Sequence, residues 1–210
     1  MTNAGEFWDN AAGKYAASPI KDPESYEYTL GRTRSYLQPT DRVLEIGAGT
    51  GSTALQLAAD VAEITGTDIS REMMRIASDK ALAQKARNVT FQVKTAQGAA
   101  EKAGQFDVVL GFNILHLTND MERVLSTLYR EMAPGSMLIT KTPCIGDPSM
   151  GLKRFAIRAM VPVMQLLGKA PFVRYLTVQE LEAAMQWAGF RIIETCSKPA
   201  MSRYIVARRP

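Results

Sequence analysis

Residues 45–51 combine one acid with three alternating glycines, a spacing that suits a ligand-binding turn. The acid is Glu45, and Gly47, Gly49 and Gly51 follow it directly before a helical pattern. Glycine permits positive φ and lets a ligand approach the main chain, while a helix N-terminus adds the positive end of a dipole. An acid two positions before the first glycine suits an ammonium group better than a diphosphate. We therefore expect a polar ligand on this turn.

A second acid, Asp68, follows the next predicted strand, 62–67. In an open parallel sheet, ligands bind at the carboxyl ends of the strands, where an acid can accept both hydroxyls of a ribose. Ser70 is the better N-cap for the following helix, which leaves Asp68 free for a ligand. The glycine spacing G-x-G-x-G differs from the G-x-G-x-x-G of dinucleotide sites. An NAD-dependent oxidoreductase therefore stays open only as a disfavoured alternative.

The elements that must position these residues alternate between strands and helices, and 210 residues suit one domain. We predict a twisted sheet of about seven strands, mostly parallel, with helices on both faces. The strands are expected at 43–46, 62–67, 89–93, 106–111 and 137–140, with a terminal pair at 190–195 and 201–207. The helices are expected at 24–37, 52–59, 71–87, 119–132, 152–167 and 178–188.

The run Glu45-x-Gly47-x-Gly49-x-Gly51 resembles motif I of the class I S-adenosylmethionine-dependent methyltransferases. The segment 112–117 resembles motif IV of that family, and the terminal strand pair resembles its antiparallel hairpin. The resemblance covers roughly residues 7–208. It implies a Rossmann-like three-layer α/β sandwich with a seven-stranded, mostly parallel sheet and a C-terminal antiparallel strand pair. It also implies an enzyme that uses S-adenosyl-L-methionine and releases S-adenosyl-L-homocysteine.

The same resemblance implies a set of cofactor-binding residues at the strand ends. The acid of motif I would serve the methionine ammonium, the glycine turn would cradle the cofactor, and the acid after the second strand would hold the ribose. The residue after that acid would pack on adenine, and a polar residue after the fourth strand would face the methionine moiety. These residues are Glu45, Gly47, Ala48, Gly49, Gly51, Asp68, Ile69 and Asn113.

The expected adenine site departs from the family pattern. Many members place an aspartate after the third strand to accept a hydrogen bond from the adenine amino group. Here the matching position is Thr95, followed by Ala96 and Gln97. The hydroxyl, the backbone N–H and the side-chain amide of these three residues are the expected substitutes. We expect somewhat weaker cofactor binding and the same cofactor.

His116 and Tyr15 are the candidate catalytic residues. His116 is the only histidine and lies after the fourth predicted strand. An unperturbed pKa of about 6.5 suits a general base, and the alternative is a histidine that only packs behind the site. The pattern Phe7-Trp8-Asp9-x-x-Ala12-x-x-Tyr15 is similar to the lid-forming starts of many small-molecule methyltransferases.

This similarity makes residues 1–38 an N-terminal cap or lid, in which Tyr28 is the expected substrate contact. The alternative is that the aromatic residues only pack a helix on the sheet. Residues 142–176 lie where class I enzymes place a variable, substrate-side insertion. The segment 152–167 there contains Met160 and Met164 as expected substrate contacts and Pro162 as an expected kink. It has three open interpretations, which are a lid on an apolar substrate, a helix that docks on a membrane, and core packing.

Composition narrows the function classes. The net charge is +4 without a concentrated basic stripe, which argues against nucleic-acid binding. Cys144 and Cys196 stand far apart, so we expect no disulfide framework, no metal site and a cytoplasmic location. Residues 1–13 lack an apolar signal core, and no apolar run reaches the roughly 18 residues of a transmembrane helix.

The predicted function is methyl transfer to an oxygen or nitrogen of a small, partly apolar metabolite. A lipid or quinone-like acceptor at a membrane surface, reached by peripheral contact through residues 152–167, is the main variant. A catalytically silent cofactor-binding module is the alternative from another class. The expected oligomeric state is a monomer or a homodimer.

Overall fold

The chain alternates strands and helices, as a computed structural model shows for residues 4–210. The first three positions of the predicted cap lie outside the described residues. The strands are β1 (Arg42–Ile46), β2 (Glu63–Asp68), β3 (Val89–Val93), β4 (Val108–Phe112), β5 (Met137–Pro143), β6 (Arg191–Cys196) and β7 (Ser202–Arg208). The helices are α1 (Ala4–Ala17), α2 (Pro23–Arg34), α3 (Ser52–Leu57), α4 (Arg71–Ala83), α5 (Ala96–Ala100), α6 (Met121–Glu131), α7 (Lys153–Leu166) and α8 (Val178–Trp187).

The strands form one seven-stranded sheet in the order β3-β2-β1-β4-β5-β7-β6. The first five strands pair in parallel, and β7 runs antiparallel to both β5 and β6. The predicted Rossmann-like fold class is therefore confirmed. The strand order reverses between β1 and β4, and at such a point the loops at the carboxyl ends diverge and leave a crevice.

Apolar side chains alternate along the strands and fill the space on both sides of the sheet. Leu138 of β5 belongs to a cluster with α5, α6 and α8, whereas the next residue, Ile139, belongs to a cluster with α2 and α3. A third, smaller cluster joins α1 to α4 through Ala12. The strands whose ends form the site are therefore packed against helices on both faces of the sheet.

The predicted elements agree with the structure within a few residues at most boundaries, with two omissions. Helix α1 was expected only as an aromatic cap, and the five-residue α5 was not predicted. Thr177 and Glu180 form a capping box at the start of α8, since the Thr177 hydroxyl accepts from the Glu180 amide and Glu180 accepts from the Thr177 amide. Within residues 4–210, no helix has the length and apolarity needed to cross a bilayer.

Candidate functional site

The turn after β1 depends on glycine for both its conformation and its packing. Gly47, Gly49 and Gly51 have φ angles of 72°, 53° and 73°, in the left-handed region that other residues avoid. A Cβ on Gly51 would lie 2.6 Å from Phe91 Cζ and 2.8 Å from Ala77 Cβ. The turn is therefore held against β3 and α4 at a separation that only glycine allows.

Several main-chain amides of this turn form hydrogen bonds within the protein. The amides of Gly47 and Ala48 both donate to the Thr67 carbonyl, at 2.8 and 2.9 Å, and the Gly51 amide donates to the Ala48 carbonyl at 3.0 Å. The Gly49 amide donates to Asp68 Oδ2 at 3.0 Å. These bonds tie the turn to the end of β2. Among its three glycines, Gly49 has the most open surroundings, since the nearest atom to its Cβ position is Tyr15 Cε1 at 3.8 Å.

Asp68 ends β2 beside the glycine turn, as predicted. Its Oδ1 accepts from the Ser70 amide at 3.0 Å, while its Oδ2 accepts from Gly49. Burial raises the pKa of Asp68, and the amides of Ser70 and Gly49 oppose that rise. Each carboxylate oxygen keeps a further lone pair, so Asp68 can still accept hydrogen bonds from two ligand hydroxyls.

Glu45 lies in β1 under the same turn and is only 2% exposed. Its Oε2 has no hydrogen-bond partner among residues 4–210. Burial raises the pKa of Glu45 to about 8; the amide of Ala54 opposes this rise, and the nearby charge of Asp68 adds to it. A buried acid without a partner is costly, and a ligand cation would relieve that cost.

Tyr15 reaches the site from α1. Its Cε1 lies 3.8 Å from the position that a Cβ on Gly49 would take. Burial raises the pKa of Tyr15, and the negative charges of Asp68 and Glu45 raise it further. The ring stays half-exposed and meets Trp8 edge to face, with ring centroids 6.4 Å apart. The structure therefore brings this predicted residue together with both acids.

The residues expected around adenine lie at the start of α5, but the Gln97 side chain turns toward another helix. Thr95 caps α5 by accepting from the Gly98 amide at 3.0 Å, and Ala96 begins that helix after β3. Gln97 instead donates to Thr127 Oγ1 of α6 at 3.1 Å. The structure thus does not bring the Gln97 amide toward the strand ends, because α6 offers it a buried partner.

Asn113 and His116 follow β4 on the other side of the crevice. Asn113 has a φ of 56°, and its amide donates to the Lys141 carbonyl at 2.7 Å. His116 lies in a short 3-10 helix, and its Nδ1 is buried without a partner among the described residues. Burial lowers the pKa of His116 to about 4, so its imidazole is neutral at physiological pH.

Lys141 is a candidate site residue that was not predicted from the sequence. It lies at the carboxyl end of β5, between Phe112 of β4 and Tyr204 of β7. Burial lowers its pKa, and the negative charge of Asp22 opposes that shift. The available signal was a lysine inside the apolar run of β5, which strand alternation alone does not explain.

The three predicted substrate contacts lie in α2 and α7. Tyr28 lies against the β6–β7 connection, where Lys198 Nζ is 5.1 Å from its ring centroid. A hydrogen bond with Cys196 is the largest cause of a raised pKa for Tyr28. Met160 and Met164 both belong to α7, and Met160 is 57% exposed. Ile69, by contrast, stands partly buried directly after Asp68.

Helix α7 is not packed into the core, because none of its residues is buried. It is continuous through Pro162, and its partly buried side is a narrow stripe. The core-packing interpretation is therefore wrong. The exposed large apolar side chains on and beside this helix are Leu152, Phe155, Met160, Val163, Leu166 and Leu167.

A family model described as a methyltransferase domain matches residues 20–195 of this chain. Among curated proteins, the chain is similar to ubiquinone biosynthesis O-methyltransferases. The protein of Brucella anthropi is 27% identical over 202 residues, which cover 91% of this chain and 79% of that protein. The protein of Rhizobium johnstonii is 28% identical over the same length and coverage.

Solved structures show the same fold at lower identity. Phosphoethanolamine N-methyltransferase 2 of Haemonchus contortus, in complex with S-adenosyl-L-methionine, has a TM-score of 0.79 at 17% identity. That match covers 100% of this chain and 60% of the other. A possible histamine N-methyltransferase of Thermotoga maritima has a TM-score of 0.71 at 22% identity and covers 99% of this chain and 100% of the other.

Proposed function

Because the chain belongs to the methyltransferase-domain family, we propose that it moves the methyl group of S-adenosylmethionine to an oxygen of a small, partly apolar metabolite. The single observation that carries this proposal is the pairing of the buried Glu45 with the partly buried Asp68 beside a glycine turn. Nitrogen is the alternative acceptor atom. The curated relatives, which are named as O-methyltransferases, favour oxygen.

The described residues fit this cofactor. The unpartnered Oε2 of Glu45 is a place for the methionine ammonium, and Asp68 retains acceptor capacity for the ribose hydroxyls. Gly49, whose Cβ position meets nothing closer than Tyr15 Cε1 at 3.8 Å, lets the ligand come close to the main chain. Ile69, Thr95 and Ala96 are the residues that we assign to adenine, and Asn113 is assigned to the methionine moiety.

S-adenosylmethionine, when bound, supplies an activated methyl group on a sulfonium. The task of the chain is then to hold the acceptor oxygen in line with that methyl group and to exclude water. The acceptor oxygen forms a carbon–oxygen bond as the carbon–sulfur bond breaks, and the hydroxyl proton passes to a base. We assign Tyr15 to closing the site and His116 to receiving that proton.

Lys141 supports an acceptor whose oxygen ionises readily. It lies beside the β4 end that also carries Asn113 and His116, and its Nζ has no hydrogen bond or ion pair within residues 4–210. A partly desolvated cation stabilises a nearby anion. An acceptor hydroxyl on an aromatic ring would gain most, because with an ordinary pKa of about 10 it ionises far more readily than an aliphatic hydroxyl.

This function is tested by methyl transfer from radiolabelled S-adenosylmethionine to phenolic and amine acceptors, with His116→Asn as the diagnostic variant. A pKa of about 4 makes His116 a weak base that is already neutral, so kcat should show no inflection near pH 6.5. The variant should lower kcat about ten-fold, below the usual general-base effect. An unchanged kcat would show that His116 only packs, and transfer to no acceptor would refute the function.

The exposed side of α7 favours an acceptor that is met at a membrane surface. Helix α7 carries Lys153, Arg154 and Arg158 and no acidic side chain. The helix therefore presents a basic and apolar surface, which suits an anionic bilayer. We propose that α7 docks there and that the enzyme reaches lipid or quinone-like acceptors from the cytoplasmic side. The free thiols of Cys144 and Cys196 agree with that reducing compartment.

Sedimentation with vesicles tests this contact. The protein should bind phosphatidylglycerol vesicles and only weakly bind phosphatidylcholine vesicles. Reversing Lys153 and Lys169, at the two ends of α7, should weaken binding at least ten-fold, since each basic residue near an anionic surface contributes about 1 kcal/mol. The matched control reverses Arg87 and Lys102, which are exposed elsewhere. Equal binding by both double variants would exclude α7 as the contact.

A further inference from the structure

Helix α1 is fastened to the rest of the molecule by one carboxylate. Asp9 Oδ1 accepts a hydrogen bond from Ser70 Oγ at 2.6 Å and another from the Glu72 amide at 3.0 Å. These bonds, first that of Ser70 and then that of Glu72, hold the pKa of Asp9 below its ordinary value. Asp9 thus supplies, from a different helix, the negative charge that the N-terminus of α4 favours.

Ser70 connects this carboxylate to the acid that we assign to the ribose. The Ser70 hydroxyl caps α4 by accepting from the Met73 amide at 3.0 Å while it donates to Asp9. The Ser70 amide donates to Asp68 Oδ1 at 3.0 Å. One fully buried residue therefore joins α1, the start of α4 and Asp68.

Other contacts of α1 are apolar and less directional. Ala12 is buried in a small cluster with Met73, and Trp8 packs against the edge of that cluster. Trp8 in turn contacts Tyr15, which lies over Gly49. If the Asp9 bonds open, α1 loses the two hydrogen bonds that join it to the start of α4.

We propose that Asp9 is a positioning residue: its carboxylate latches α1 to the N-terminus of α4 and so keeps Tyr15 closed over the bound cofactor. This inference rests on the proposed function for the identity of the cofactor. The latch itself lies entirely within the chain. Charged hydrogen bonds of this kind are about twice as strong as neutral ones, so loss of the charge alone should loosen it.

The chain offers its own reporters for the latch. It contains two tryptophans, and Trp187 is 87% exposed on α8, so Trp187→Phe leaves Trp8 as the sole tryptophan, which can be excited selectively over the tyrosines. Lys14, in the last turn of α1, provides a trypsin site beside Tyr15. In this background we would compare Asp9→Asn and Asp9→Ala with Glu6→Gln, which removes one negative charge from an exposed position of the same helix.

Without ligand, Asp9→Asn and, more strongly, Asp9→Ala should increase acrylamide quenching of Trp8 and speed trypsin cleavage after Lys14 several-fold. S-adenosylhomocysteine should leave each Asp9 variant about ten-fold faster than the Glu6→Gln protein in stopped flow, by the strength of hydrogen bonds to a charged group. Identical quenching, cleavage and release for the Asp9 and Glu6 variants would overturn the latch.

The design separates this inference from the proposed function. If the parent protein does not bind S-adenosylhomocysteine, the proposed cofactor is wrong. The quenching and cleavage data on the free protein still confirm or overturn the latch in that case. If the parent binds and the Asp9 variants differ only in thermal stability, with unchanged Trp8 quenching and Lys14 cleavage, Asp9 is merely structural and the proposal fails.

Discussion

Replacing Gly51 with alanine should destabilise the protein strongly and abolish cofactor binding. The added Cβ would lie 2.6 Å from Phe91 Cζ and 2.8 Å from Ala77 Cβ, and Ala77 has no flexible side chain that could move away. The φ of 73° adds backbone strain for any other residue. Overpacking and strain together should cost roughly 3 kcal/mol or more of the free energy of unfolding.

Urea denaturation followed by circular dichroism measures this loss, and Gly31→Ala is the matched control. Gly31 lies within α2, and a Cβ there would meet nothing within 4 Å. Alanine in a helix interior should be neutral or stabilising by about 0.5–1 kcal/mol. A Gly51→Ala protein as stable as the Gly31→Ala protein would contradict the packing that we describe for the turn.

Cofactor affinity should rise with pH because of Glu45. Its pKa of about 8 means that the free protein holds this carboxyl largely protonated at neutral pH. An ammonium group from the ligand would favour the carboxylate, so binding should release close to one proton at pH 7. The affinity of the parent protein should then rise up to about ten-fold per pH unit below pH 8 and level off above it.

Calorimetry in two buffers of different ionisation enthalpy measures the released proton. In Glu45→Gln we expect weaker binding, no proton release and no dependence on pH in this range.

The raised pKa of Glu45 also predicts how the stability of the ligand-free protein changes with pH. Because folding raises the pKa of Glu45, its contribution to the free energy of unfolding is fully present below about pH 4.5 and is lost as the pH rises toward 8. The stability of Glu45→Gln should not show this dependence on pH. A pH-independent cofactor affinity in the parent protein would refute the assignment of Glu45 to the ligand ammonium.

The sequence was most informative where a local pattern determines a local structure. Alternating apolar residues predicted the strands, and the glycines of residues 47–51 predicted a turn that only glycine can form. An acid directly after a predicted strand placed Asp68 at a carboxyl end without knowledge of the tertiary structure. The Thr177 capping box is another local signal that the structure confirms.

Partners that lie far apart in the chain could not be predicted in this way. Asp9 and Ser70 are 61 residues apart, and no spacing rule relates them. The side chain of Gln97 turns toward Thr127 because α6 packs there, which only the assembled layers reveal. The apolar pattern of α7 indicated a face, but not that this face would stay exposed, because periodicity does not identify what covers a helix.

Calorimetric titration of the protein with S-adenosylhomocysteine, with NAD as the competing ligand, tests the central claim most directly. The site has a buried acid, Glu45, and a partly buried acid, Asp68, beside a glycine turn. We predict micromolar binding of S-adenosylhomocysteine and none of NAD. Binding of NAD in preference, or of neither ligand, would contradict the assignment of this crevice as a methyltransferase site.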